Sequence, residues 1–201
     1  MGNFDPSVIF SLIKNKYTLL IQNIYDKPSD YVFVFVLLLF LFVFFVLSKT
    51  SFSRRFLLFV FTFPGTVIHE FLHFIVGVLT LARPVNFSLI PKKTNEGWTL
   101  GSVSFAGLNS FNAFPTAMAP ILAPIILIST FPFVIEYIKN SEHILLYSIV
   151  YAFVLVSGVN ECIPSSTDFK TAFSKPFGIL FYFLIFLYFF LDFTGIIHVN
   201  I

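Results

Sequence analysis

Two histidines and a glutamate stand within five residues of one another in the segment HEFLH, residues 69–73, inside one of the most apolar stretches of the chain. On a helix, side chains four residues apart project from one face about one turn apart, so the imidazoles of His69 and His73 can bind the same divalent ion. Glu70 lies about 100° round such a helix from His69, where its carboxylate can hold a metal-bound water and take its proton. These are the residue types that metal-assisted hydrolysis needs. In a chain of this composition, with 4 His, the pattern H-E-x-x-H is expected by chance only about 0.002 times. The competing reading is a proton relay or a satisfied polar cluster between helices, because ionisable groups within a membrane are functional by default without being metal ligands.

A catalytic zinc commonly takes three protein ligands and keeps a position for water. The single cysteine, Cys162, excludes a Cys-rich site and an internal disulfide framework, so the third ligand is sought among His and carboxylate. The candidates are Asp168, Glu161, His143, His198 and Asp192. His143 falls in a short loop predicted on the outer face and His198 at the C-terminal end of the sequence, both positions that suit a solvated ring. Asp192 stands among aromatic residues, where it suits helix packing or an interface. Glu161 and Asp168 lie in GVNECIPSSTDFK, where an apolar run is broken by Pro164 and the following Ser-Ser-Thr. Non-helical backbone at membrane depth is tolerated only where protein buries it or it lines a wet cavity. Asp168 therefore stands as a ligand candidate against the alternative of a carboxylate solvated beside Lys170.

The elements that must position these groups are membrane helices. Hydrophobic residues make up 57% of the 201, charged residues 11%, and 31 are Phe; the mean hydropathy is +0.91. A water-facing surface cannot carry that composition, so an integral membrane protein is expected. The net charge of +2 is too small to argue for nucleic acid as a partner. Residues 1–30, with Lys14, Lys16 and Lys27, suit an amphipathic surface helix better than a signal peptide. Five runs approach the roughly 20 helical residues that a bilayer core needs: 31–48, 56–82, 114–135, 144–163 and 177–197. An all-α polytopic membrane protein with about five transmembrane helices is the fold predicted, residues 31–201 forming a single transmembrane domain. With the N-terminus in the cytoplasm, 8 of the 12 Lys and Arg fall inside and 4 outside, the sense of the positive-inside rule for a cell membrane.

The longest polar loop, 83–113, joins the second and third helices on the cytoplasmic side. Its stretch GWTLGSVSFAG, residues 97–107, shows no 3.6-residue period and reads as a short strand or hairpin, with Trp98 suited to the membrane interface. An exposed strand edge is costly in lipid unless a partner strand covers it. Pro64-Gly65, just before the histidines, suits either a kink that admits water or substrate, or plain helix packing.

With both motifs in view, the chain resembles the site-2 protease family of intramembrane zinc metalloproteases over residues 56–170. That family pairs a membrane-embedded H-E-x-x-H with a later helix bearing an Asn, prolines and a zinc-binding Asp; here Asn160, Pro164 and Asp168 have a similar span. The resemblance implies Zn2+ held by His69, His73 and Asp168, with Glu70 as general base and Asn160 near the scissile carbonyl. It also implies that the strand-bearing loop, through Gly97, Gly101, Ser102 and Val103, presents a membrane-embedded or membrane-proximal protein substrate in extended form. Phe169 stands where the family has Gly, the proline follows Asn160 at four residues instead of three, and the family's G-P-x-x-N is only loosely echoed by AGLN, 106–109, or MAPILAP, 118–124. A divergent branch is therefore expected. Two other readings remain at this point: a membrane zincin with Glu161 as third ligand, and a sensor, immunity or transport component that binds metal or protons without hydrolysis.

Overall fold

The computed structural model describes residues 6–23, 28–48, 55–90, 92–94 and 97–193. Among these, helices run over Pro6–Asn23 (α1), Pro28–Ser48 (α2), Arg55–Leu79 (α3), Ala113–Ala117 (α4), Leu122–Lys139 (α5), Ile144–Asn160 (α6), Ser166–Phe173 (α7) and Pro176–Phe193 (α8). A nested antiparallel hairpin of four short strands separates α3 from α4: Pro84–Ser88 (β1), Lys92–Thr94 (β2), Gly97–Thr99 (β3) and Ser102–Phe105 (β4). The chain is mostly helical, as its apolar runs predict. His198 and the side chain of Asp192 lie outside the described residues.

Among the described residues two helical segments are long and apolar enough to cross a membrane, Phe59–Leu79 and Ala119–Lys139. A third is added if α7 and α8, bent by 88° at their junction, count as one span. The other two predicted runs give shorter apolar helices, Val32–Leu47 and Ile144–Asn160. At 1.5 Å per residue α6 is about 25 Å long, short of a hydrocarbon core of about 30 Å, whereas the 21 residues of α2 reach about 31 Å. The run at 114–135 is not one helix: α4 stops at Ala117 and a 3-10 turn at Ala119–Ile121 precedes α5. Pro120 is the physical reason, since it brings no N–H and its ring crowds the carbonyl four residues back.

The described residues fall into two compact units, one drawn from Met1–Thr66 and Leu122–Cys162, the other from Val67–Ile121 and Ile163–Ile201. In the first, α2 packs on α6, α6 on α5 and α1 on α5. Its core is Phe33, Val36, Ile135, Ile138 and Ala152, where the small side chain of Ala152 lets neighbouring helices approach. Lys16 of α1 pairs with Glu136 of α5, and the Tyr17 hydroxyl donates to the Ile128 carbonyl. Gly65 serves packing here. The Gly65 N–H donates to Ser157 Oγ (2.6 Å), whose own proton goes to the Thr62 carbonyl (3.0 Å). A Cβ on Gly65 would strike the Ser157 carbonyl.

In the second unit the end of α3 carries the hairpin. The Ala82 N–H donates to the Gly77 carbonyl (2.7 Å) and the Leu81 N–H to Val78 (3.1 Å), with Leu81 left-handed at φ 59°. This is the Schellman closure with a leucine where glycine is usual, at a cost of about 1 kcal/mol. The chain turns at once into β1, which pairs with β4 from Ser88 opposite Ser102 to Pro84 opposite Phe105, with an irregularity between Pro84 and Asn86. Gly107 N–H to Ala82 and Ala106 N–H to Arg83, both 3.0 Å, continue that pairing to the helix end. The strand expected at 97–107 is thus split into β3 and β4, each covered by a partner.

Candidate metal centre

His69 and His73 lie on one face of α3, as their spacing requires, with ring centroids 4.8 Å apart and Nε2 atoms 3.1 Å apart. Asp168 enters from the first turn of α7. Its Oδ1 is 3.4 Å from His73 Nε2 and its Oδ2 3.6 Å from His69 Nε2, so the carboxylate straddles the two imidazoles. All three residues belong to the same compact unit. One ligand atom from each lies within 4.8 Å of the others, and no other such group occurs among the described residues.

Neighbouring groups set the orientation of two of these side chains. Asp168 is the third helical residue after Ser165, which caps α7 with a reciprocal pair of hydrogen bonds. The Ser165 N–H (2.7 Å) and O–H (2.6 Å) both donate to Asp168 Oδ2, and the Asp168 N–H returns to Ser165 Oγ (3.2 Å). On α3, His73 Nδ1 lies 2.7 Å from the Thr116 carbonyl. A carbonyl only accepts, so Nδ1 carries the proton, and in the neutral ring Nε2 is a bare lone pair.

That lone pair faces a second imidazole nitrogen and a carboxylate. An N–H on His69 Nε2, 3.1 Å away, can donate to it, and a bound cation can take the place of that proton. A proton shared between imidazolium and carboxylate draws N and O to about 2.7–2.9 Å, shorter than either His–Asp separation here. Ligands about 2.1 Å from a common centre at tetrahedral corners lie about 3.4 Å apart. The three separations, 3.1, 3.4 and 3.6 Å, lie around that value, and the donor set of two imidazoles and a carboxylate could hold a divalent ion that keeps a further position for water.

Glu70 is buried and lines the same cavity, of about 240 Å3, as His73, Asp168, Gly101, Ser102 and Val103. Gly101 is what admits it: a Cβ there would stand 2.5 Å from Glu70 Cγ and 3.0 Å from its carboxyl carbon. Substituting Gly101→Ala therefore pushes the Glu70 carboxylate aside. The expected result is about a tenfold loss of any Glu70-dependent hydrolysis with metal content unchanged, since misplacing a reacting group by about 1 Å costs up to 10²-fold; parallel turnover and metal assays on the purified variant check it.

The chain matches no family model, no curated protein and no solved structure. Glu161 caps the end of α6 and accepts from the Asn160 side-chain amide at 2.9 Å. Both belong to the other unit, where Asn160 closes the last turn of α6 and is exposed. His143 is the exposed residue preceding α6, its ring against Tyr147. Gly97 opens β3, paired with Thr94. Two contributors escaped the sequence reading. Ser165 was legible as the first residue of an S-x-x-D capping box, and Thr116 as the carbonyl that Pro120 leaves without a helical donor.

Proposed function

We propose that this protein is a multi-pass intramembrane zinc metalloprotease, a divergent relative of the site-2 proteases, with its N-terminus in the cytoplasm. The observation that carries this reading is the convergence of His69 Nε2, His73 Nε2 and the Asp168 carboxylate beside a buried glutamate on the wall of one cavity. Zinc bound there supplies Lewis acidity, lowering the pKa of water toward 7 and polarising a carbonyl.

The chain's own residues do the rest. His69, His73 and Asp168 hold the ion, with Thr116 and Ser165 keeping His73 and Asp168 in place. Glu70 takes the proton from the attacking water and passes it to the amide nitrogen as the C–N bond breaks, so that one carboxylate serves as base and then acid. A helical substrate hides its scissile bond and must be unwound. The Gly101 to Val103 backbone lines the cavity and offers the edge on which an extended segment can be held by strand addition.

The test is the purified protein in liposomes with single-span model substrates whose transmembrane segments contain Gly or Pro. Cleavage that stops with a zinc chelator and returns with Zn2+ supports the reading; intact substrates at full metal loading contradict it.

A further inference from the structure

We propose that Pro120 is a positioning residue for the metal centre. By removing the N–H that would otherwise bond to the Thr116 carbonyl, it makes that carbonyl the acceptor that fixes His73 with its proton on Nδ1 and its Nε2 turned toward the ion. The role at the ion rests on the metal-site reading above; the hydrogen-bond assignment stands apart from it.

In an α-helix the carbonyl of residue i accepts from the N–H of residue i+4. For Thr116 that residue is Pro120, which has no N–H and whose ring crowds the carbonyl four residues back. The local backbone agrees: α4 ends at Ala117 and a 3-10 turn containing Pro120 follows. Thr116 is 1% exposed, so water cannot readily take the place of the missing donor, and a buried acceptor left unpaired is destabilising. The donor that arrives is His73 Nδ1–H, at 2.7 Å.

The rest of Thr116 is held in register with α3. Its N–H donates to the Asn112 carbonyl (3.1 Å), and its hydroxyl lies 3.0 Å from that of Thr80. Asn112, itself buried, donates from Nδ2 to the carbonyls of Gly107 (3.0 Å) and Thr80 (3.3 Å). The carbonyl is thus aimed by a frame that reaches the end of the helix bearing both histidines.

The same device recurs in the other unit. Pro132 leaves the Ile128 carbonyl without its helical donor, and the hydroxyl of Tyr17, from α1, donates to it. In both places a proline turns a helix carbonyl into a seat for a side chain from another element. At Thr116 that side chain is a metal ligand, and anchoring the second nitrogen of a ligating imidazole is worth about 10–100-fold in metal affinity.

The experiment uses the full chain in detergent, with 15N-labelled histidine, in wild type, Pro120→Ala and Pro124→Ala. The His73 tautomer is read by 15N NMR in metal-free protein above the ordinary imidazole titration range, and Zn2+ affinity by competition with a chromophoric chelator. Wild-type His73 is expected to carry its proton on Nδ1. Pro120→Ala restores a competing N–H, so a tautomer mixture and a Zn2+ Kd about tenfold higher are expected. Pro124→Ala, one turn further on, is expected to change neither. A wild-type His73 protonated on Nε2 overturns the proposal without recourse to any variant, even if Pro120→Ala does not fold. So does a Pro120→Ala protein that keeps the Nδ1–H tautomer and the wild-type Kd. A tautomer that shifts in Pro120→Ala but not in Pro124→Ala, in a wild type that binds no Zn2+, supports the hydrogen-bond assignment and removes the metal-site reading instead.

Discussion

Glu70→Gln is expected to keep the metal and lower peptide hydrolysis by about 10²–10⁴-fold, the range attributable to a positioned general base. The amide has nearly the shape of the carboxylate, so it fits the buried space beside Gly101 and leaves the His69, His73 and Asp168 ligand set intact. What it lacks is basicity: it cannot take a proton from water or deliver one to a leaving amine. A membrane sensor or transport component using the same cluster only to bind metal has no such dependence on Glu70. Parallel measurement of metal content and cleavage therefore separates the two classes of protein, and a Gln variant that cleaves at the wild-type rate removes Glu70 from the mechanism.

Asp168→Ala is expected to abolish stoichiometric metal binding. Two imidazoles alone leave a divalent ion without the charge or the third corner that Asp168 provides across 3.4 and 3.6 Å. Ser165→Ala gives a graded version of the same result. It removes the hydroxyl donor to Oδ2 but leaves the Ser165 N–H bonded to that oxygen at 2.7 Å. The carboxylate is loosened without being lost, and a fall in affinity of about 10–100-fold is expected, the usual range for a group that orients a ligand. Competition titration with a chromophoric chelator reads both variants on one scale. Equal affinities for wild type and Asp168→Ala would place the ion elsewhere.

What could be read from residues alone was what helical periodicity decides. His69 and His73 had to share a face if the segment was helical, and Glu70 had to project to one side of them. Asp168 was legible as a carboxylate following a broken helix, though the break proved to be the start of α7, with Ser165 as its cap. Partners supplied by the main chain were harder to see, because a carbonyl has no residue type. The only trace of the Thr116 contact is a proline four positions later. The run at 114–135 was apolar enough for one span, but hydropathy says nothing about missing N–H groups, and Pro120 ends α4 all the same. Likewise β1 and β2 contain Pro, Asn and Lys and lack strand-like alternation; pairing with β4 and β3 makes them strands. Asn160, aligned by resemblance with a substrate-binding position, donates to the carboxylate of Glu161 at the end of α6.

The most direct test is elemental analysis of the protein purified in detergent without chelator, with Asp168→Ala and Glu161→Ala beside it. About one zinc per chain in wild type and in Glu161→Ala, with none in Asp168→Ala, is the result this account predicts from the His69–His73–Asp168 cluster. Wild type without zinc, or zinc retained by Asp168→Ala, would contradict it.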